Sequence, residues 1–163
     1  MIGAFCGSFD PLTLGHVDII ERASRLVDTL YVFVAVNSEK RSMYSLEQRL
    51  AWLEAACAGL PNVRCAVQNG LVVDACRKAG ARVLFRGIRN GQDCAYEQNM
   101  AFMNGYLDPD VETVCLFTKP EYDLYSSSNV RELVKYHQDV AKFVPACVLK
   151  TLLEQEEMDE NIN

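Results

Sequence analysis

Short apolar runs rich in β-branched and aromatic residues lie at 2–6, 30–36, 63–67, 82–85 and 113–117. Each is about the length of a strand. The segments between them carry helical spacing. In HVDIIERASRLVD, residues 16–28, Val17, Ile19, Ile20, Ala23, Leu26 and Val27 fall on one broad face, and Asp18, Glu21, Arg22 and Arg25 fall on the other. SLEQRLAWLEAACAGL opens with Ser45 and has Gln48 three residues on, a capping-box pattern, and Gly59 and Pro61 stop it. A shorter helix is expected at 71–78, ended by Gly80, and another at 94–107, weakened by Gly105. Helical runs at 126–138 and 143–157 complete the chain. Strands that alternate with helices make βαβ units and a parallel sheet covered on both faces.

The expected fold is α/β, a Rossmann-like doubly wound parallel five-stranded sheet with helices on both faces. The 163 residues suit a single domain, set at 1–155, followed by a disordered acidic tail at 156–163. The net charge of −6 argues against a nucleic-acid face but leaves room for a small phosphorylated ligand, which needs only a few cations. There is no apolar run of membrane-spanning length and no basic signal-like start, so no membrane partner and a cytoplasmic home are expected. The seven cysteines form no C-x-x-C pair and suggest neither zinc nor a disulfide framework. They read as buried thiols in a reducing compartment.

Candidate chemistry gathers in the loops. GSFDPLTLGH, residues 7–16, leaves the carboxyl end of the first strand, the edge where open α/β sheets take ligands. Gly7 is expected to turn the backbone and Pro11 to stiffen the loop. Gly15 and His16 fall at the helix start, where free N–H groups favour an anion. The glycines match neither the dinucleotide fingerprint nor the P-loop. Lys40 and Arg41 follow the second strand, either as solvated cations or within reach of a phosphate. Arg86 and Arg89 flank Gly87, either as a phosphate clamp or as a surface pair neutralised by Asp93 and Glu97. Ser126, Ser127 and Ser128 precede a helix with Arg131 one turn inside, as a cap or as a second anion site. All four loops leave the same edge of the sheet, and together they suit a polyphosphate. No G-x-S-x-G elbow and no metal-ligand spacing is present. The chemistry inferred is transfer by positioning and charge stabilisation, without a covalent enzyme intermediate.

GSFDPLTLGH, with T-x-G-H at residues 13–16, and SSSNVR resemble the two signatures of the nucleotidyltransferase superfamily. EKRSMYSLEQR and RGIR with a following YE are similar to the lysine loop and arginine segment of the bacterial phosphopantetheine adenylyltransferases. The resemblance implies adenylyl transfer from ATP to 4′-phosphopantetheine, giving 3′-dephospho-coenzyme A and pyrophosphate. It implies Mg²⁺ held mainly by the ATP phosphates, a homohexamer, and coenzyme A as a feedback ligand. Carried over by position, His16, Lys40 and Arg89 would be catalytic. ATP would meet Ser8, Phe9, His16, Gly87, Ile88, Arg89 and Glu97, together with Tyr122, Asp123, Leu124, Tyr125, Ser126, Ser127 and Ser128. Phosphopantetheine would meet Ser8, Lys40, Val72 and Arg86. Ser8 replaces the usual threonine and keeps its hydroxyl, and Tyr125 stands where an aliphatic residue is common. The alternatives are another small-molecule nucleotidyltransferase, of nicotinate mononucleotide or cytidylyl type, and a non-catalytic nucleotide-binding module.

Overall fold

The computed structural model of the chain describes residues 1–36 and 41–160. In chain order its elements are β1 (Ile2–Gly7), α1 (Leu14–Ser24), β2 (Thr29–Val36), α2 (Leu46–Cys57), β3 (Val63–Asn69), α3 (Val72–Ala79), β4 (Val83–Ile88), α4 (Gly91–Leu107), β5 (Glu112–Phe117), α5 (Ser127–Lys135) and α6 (Ala146–Glu160), with one 3₁₀ turn at Pro120–Tyr122. The strands form one all-parallel sheet in the order β3-β2-β1-β4-β5. The chain winds outward from β1 through β2 to β3, then crosses back to lay β4 against the other side of β1. The direction of winding therefore reverses between β1 and β4, and a crevice opens at their carboxyl ends.

Side-chain alternation along β1 divides the core in two. Phe5 faces a large cluster with Ile20, Trp52, Leu53, Phe85 and Val148, built by α1, α2, α5 and α6. Ala4 and Cys6 face a smaller cluster with Phe33, Cys76 and Leu84, covered by α3. Not every thiol is buried as the sequence suggested. Cys94 on α4 and Cys115 on β5 are exposed, because none of the described residues covers the outer faces of these two elements.

Three boundaries differ from expectation. β4 runs on to Ile88, so Arg86, Gly87 and Ile88 belong to a strand; the ladder to β5 continues through Gly87↔Leu116 and Ile88↔Phe117. α4 begins at Gly91, because the Asn90 side chain accepts from the Gln92 and Asp93 N–H groups, both at 3.0 Å, and caps the helix early. α1 ends at Ser24, where the Asn62 amide donates to the Ser24 and Val27 carbonyls at 2.7 and 3.1 Å and satisfies acceptors the helix leaves open.

Candidate active site

The loop from Ser8 to Thr13 is held from behind at several points. The Asp10 carboxylate accepts from the Met43 and Tyr44 N–H groups at 2.9 Å. Arg131 donates to the Asp10 carbonyl at 2.7 Å, and the Ser127 hydroxyl donates to the Pro11 carbonyl at 2.8 Å. These bonds dock α5 and the segment before α2 onto the first loop. Gly7 is required for close approach rather than for a turn: a Cβ there would lie 2.9 Å from the Phe9 ring. Phe9 itself takes the left-handed backbone, at φ 48°, and its fully buried ring fixes that conformation.

α1 starts with a capping box in which histidine takes the place of the usual Glu or Gln. The Thr13 hydroxyl accepts from the His16 N–H at 3.3 Å, and His16 Nδ1 accepts from the Thr13 N–H at 3.1 Å. Because Nδ1 is an acceptor, the neutral ring carries its proton on Nε2. Burial is the main reason that the His16 pKa falls to about 4, and the charges of Arg89 and Arg86 push it in the same direction. At neutral pH the ring is therefore an uncharged donor. The Phe9 ring packs edge-on against it with centroids 5.2 Å apart, which fixes the imidazole plane.

His16 opens onto a cavity of about 370 Å³ at the β1/β4 crevice, of a size suited to a small organic ligand. Gly7, Ser8 and Gly15 line one side, and Arg86, Gly87, Arg89, Asp93 and Glu97 line another. Tyr122, Tyr125, Ser126, Ser127 and Ser128 close the third. The N-termini of α1 and α5 meet here. Gly15 passes beside the Tyr125 carbonyl, which a Cβ there would meet at 3.4 Å, an ordinary contact distance. The N–H groups of Gly15, Ser127 and Ser128 have no acceptor among the described residues and remain for an anion.

The two arginines are both cavity walls and partners of acidic residues. Arg86 donates to both oxygens of Glu97 at 2.7 Å and to the Cys6 carbonyl at 2.7 Å. Three of its five N–H donors are thus engaged and two remain. Arg89 holds Asp93 through Nε at 2.9 Å and Nη2 at 3.3 Å. Asp93 and Glu97 stand one turn apart on the same face of α4, so one helix orients both guanidiniums. The Asp93 pKa is lowered, chiefly by its hydrogen bond from Arg89. The three serines are engaged as well. Ser126 caps α5 by accepting from the Asn129 N–H at 3.1 Å, and the Ser128 hydroxyl accepts from Arg131 at 3.2 Å.

Other residues named from the sequence lie away from the cavity surface. The side chains of Phe9 and Ile88 are in the core, and Val72, the first residue of α3, packs against the smaller cluster. Leu124 lines a separate apolar hollow with Leu133 and Phe143, and Asp123 faces solvent. Lys40 lies outside the described residues. Tyr96 and Thr118 line the cavity without having been assigned a role: Tyr96 stands in the YE pair, where only Glu97 was taken as a contact, and Thr118 follows β5 outside any motif. Among the described residues no three His, Cys, Asp or Glu side chains group so as to hold a metal. No helix among them is long and apolar enough to cross a membrane.

A family model described as cytidylyltransferase-like matches residues 4–133. The chain is 46% identical over 158 residues to the phosphopantetheine adenylyltransferase of Levilactobacillus brevis, covering 97% of this chain and 98% of that one. It is 47% identical over 152 residues to the enzyme of the same name from Streptococcus gordonii, covering 93% of each. Among solved structures, a Vibrio parahaemolyticus protein assigned as a nicotinate-nucleotide adenylyltransferase superposes with a TM-score of 0.69 at 17% identity, covering 93% of this chain and 97% of that one. A lipopolysaccharide core biosynthesis protein from Thermoplasma volcanium superposes with a TM-score of 0.56 at 22% identity, covering 73% of this chain and 98% of that one. At these identities the two structures speak for the fold alone.

Proposed function

The chain belongs to the cytidylyltransferase-like family and, within it, to the phosphopantetheine adenylyltransferases, and from that premise we propose how its cavity works. The enzyme transfers the adenylyl group of ATP to 4′-phosphopantetheine in coenzyme A synthesis. An oxygen of the 4′-phosphate attacks the α-phosphorus in line. The bond to the bridging oxygen of the β-phosphate breaks, and pyrophosphate leaves with its electron pair. The nucleophile is already anionic, so no general base is needed. What the protein supplies is the approach of two polyanions and donors aimed at the charge that develops.

The observation that carries this reading is the fixed tautomer of His16. Its Nδ1 is occupied by the helix cap, so Nε2–H is a preorganised neutral donor beside two helix N-termini. His16 donates to the ATP phosphates, and Gly15, Ser127 and Ser128 offer backbone N–H groups to the outer phosphates. Arg89 faces the triphosphate, and the two open donors of Arg86 take the phosphate of phosphopantetheine. Tyr122 and Tyr125, whose rings pack edge-on against each other with centroids 5.2 Å apart, present an aromatic wall to the adenine. Ser8 meets both reactants, Phe9 contributes backbone only, and Lys40 supplies an ammonium at the point of transfer. Mg²⁺ would be held mainly by the ATP phosphates and would offset their charge when bound. Coenzyme A, built on the same skeleton as the product, competes for the same cavity.

A homohexamer in the cytoplasm is part of the proposal. Phe102, Met103 and Tyr106 on α4 and Phe117 on β5 are more than half exposed, an apolar face that further copies of the chain would cover. The free thiols suit a reducing compartment. The test is pyrophosphate release, with ATP or CTP offered against phosphopantetheine, nicotinate mononucleotide and glycerol phosphate. Release with ATP and phosphopantetheine alone supports the reading; release with another pair, or none, overturns it. His16→Ala is expected to lower turnover about 10²-fold, the scale of losing one preorganised donor.

A further inference from the structure

Among the described residues, Arg49 on α2 is the one lysine or arginine that is buried, at 4% exposure. Its Nη1 donates to the Ser8 carbonyl at 2.7 Å and to the Ala35 carbonyl at 3.2 Å. Ser8 directly follows β1, and Ala35 is the second-last residue of β2, so a single nitrogen spans the carboxyl ends of two neighbouring strands. No carboxylate pairs with Arg49 among the described residues, and its Nε is buried without a partner. A buried cation without a counter-charge is an expensive way to tie two carbonyls that a neutral amide could also reach.

The cost becomes intelligible from what the tie does to the first loop. Arg49, Arg131 and Ser127 draw back the carbonyls of Ser8, Asp10 and Pro11 respectively. Ser8 itself is exposed to the cavity, and its N–H has no acceptor among the described residues. With its carbonyl held behind the loop, Ser8 can offer only its hydroxyl and N–H forward. A released carbonyl could swing toward the phosphates and present its negative end to them.

We propose that Arg49 is a positioning residue for adenylyl transfer: by holding the Ser8 carbonyl against the ends of β1 and β2, it keeps the Ser8 hydroxyl and N–H turned toward the anionic reactants. The proposal rests on the reading that Ser8 meets those reactants. It accounts for the lack of a carboxylate partner among the described residues, since such a partner would pull the guanidinium away from the carbonyl it serves.

The test is a double-mutant cycle of Arg49→Met and Ser8→Ala, read as kcat and KM for phosphopantetheine and for ATP, with thermal unfolding as the control for folding. Each single change is expected to lower kcat/KM for phosphopantetheine by at least ~10-fold, and the double variant to be no worse than Arg49→Met, because one residue acts through the other. If the losses multiply, Arg49 does not work through Ser8 and the proposal falls while the role of Ser8 stands. If Ser8→Ala alone leaves kinetics unchanged, the reading of Ser8 fails and carries the proposal with it. Should Arg49→Met not fold, the same cycle is run with Arg49→Lys. A lysine keeps the charge but lacks the planar fork, so a partial loss is expected, and the double variant should lose less than the product of the two single losses. Multiplicative losses in that cycle overturn the proposal equally.

Discussion

His16 caps α1 and lines the cavity, and its protonation bears on both the helix and the proposed donor role. Its pKa of about 4 in the fold lies below the ordinary 6.5 of a free imidazole, chiefly through burial. The unfolded chain therefore binds a proton more readily than the folded one between these values. Stability from this group is complete above pH 6.5 and is lost progressively as pH falls toward 4. Titration of the His16 ring by NMR should show a midpoint near 4. A midpoint near 6.5 would mean a charged ring at mild acidity and would remove the neutral donor. Arg86 gives a second residue-level expectation. Arg86→Ala should raise the KM for phosphopantetheine far more than that for ATP; equal effects in steady-state kinetics would reassign the side chain.

At the scale of the element, α4 acts as the ruler for the cationic wall. Asp93 and Glu97, four residues apart, each grip one guanidinium. Glu97→Gln replaces one acceptor by a donor and leaves Arg86 half-held. It is expected to cost about 2 kcal/mol of stability, within the range for a buried hydrogen bond to a charged group. Denaturant melts would measure it, and the KM for phosphopantetheine should rise. The helix also shows what the sequence could convey and what it could not. The alternation of apolar runs and amphipathic segments revealed the sheet, its parallel sense and the four loops at one edge, because burial on two faces leaves a periodic trace. The early start of α4 escaped notice. Its signal is a lone Asn90 preceding polar residues, with no hydrophobic period to frame it. The two readings of Arg86 and Arg89, clamp or neutralised pair, were left open because spacing gives proximity and not orientation. The structure makes them both: paired with acids on one side and bordering the cavity on the other. Arg49 gave no warning, since an arginine in a capped helix looks like any solvated one.

For the whole molecule, the wall cations are matched by wall acids, so in the proposed mechanism the open amides of two helix starts, together with Lys40, add to the attraction for a triphosphate. That arrangement suits a chain whose net charge is −6. The uncovered face of α4 and β5 leads to a prediction about assembly. If the proposed homohexamer uses this face, the unmodified chain should scatter as about six copies of 18.3 kDa, and Phe102→Asp with Tyr106→Asp should give smaller species, with little change in helix content by circular dichroism. Unaltered mass would show that this surface is not the seam. The reversal of winding between β1 and β4 has a wider implication. It leaves a notch that no ladder bond can fill, and its rim is written entirely in connecting segments. Descendants of such a framework can exchange one acceptor molecule for another by rewriting those segments alone, while the strands beneath keep the same register.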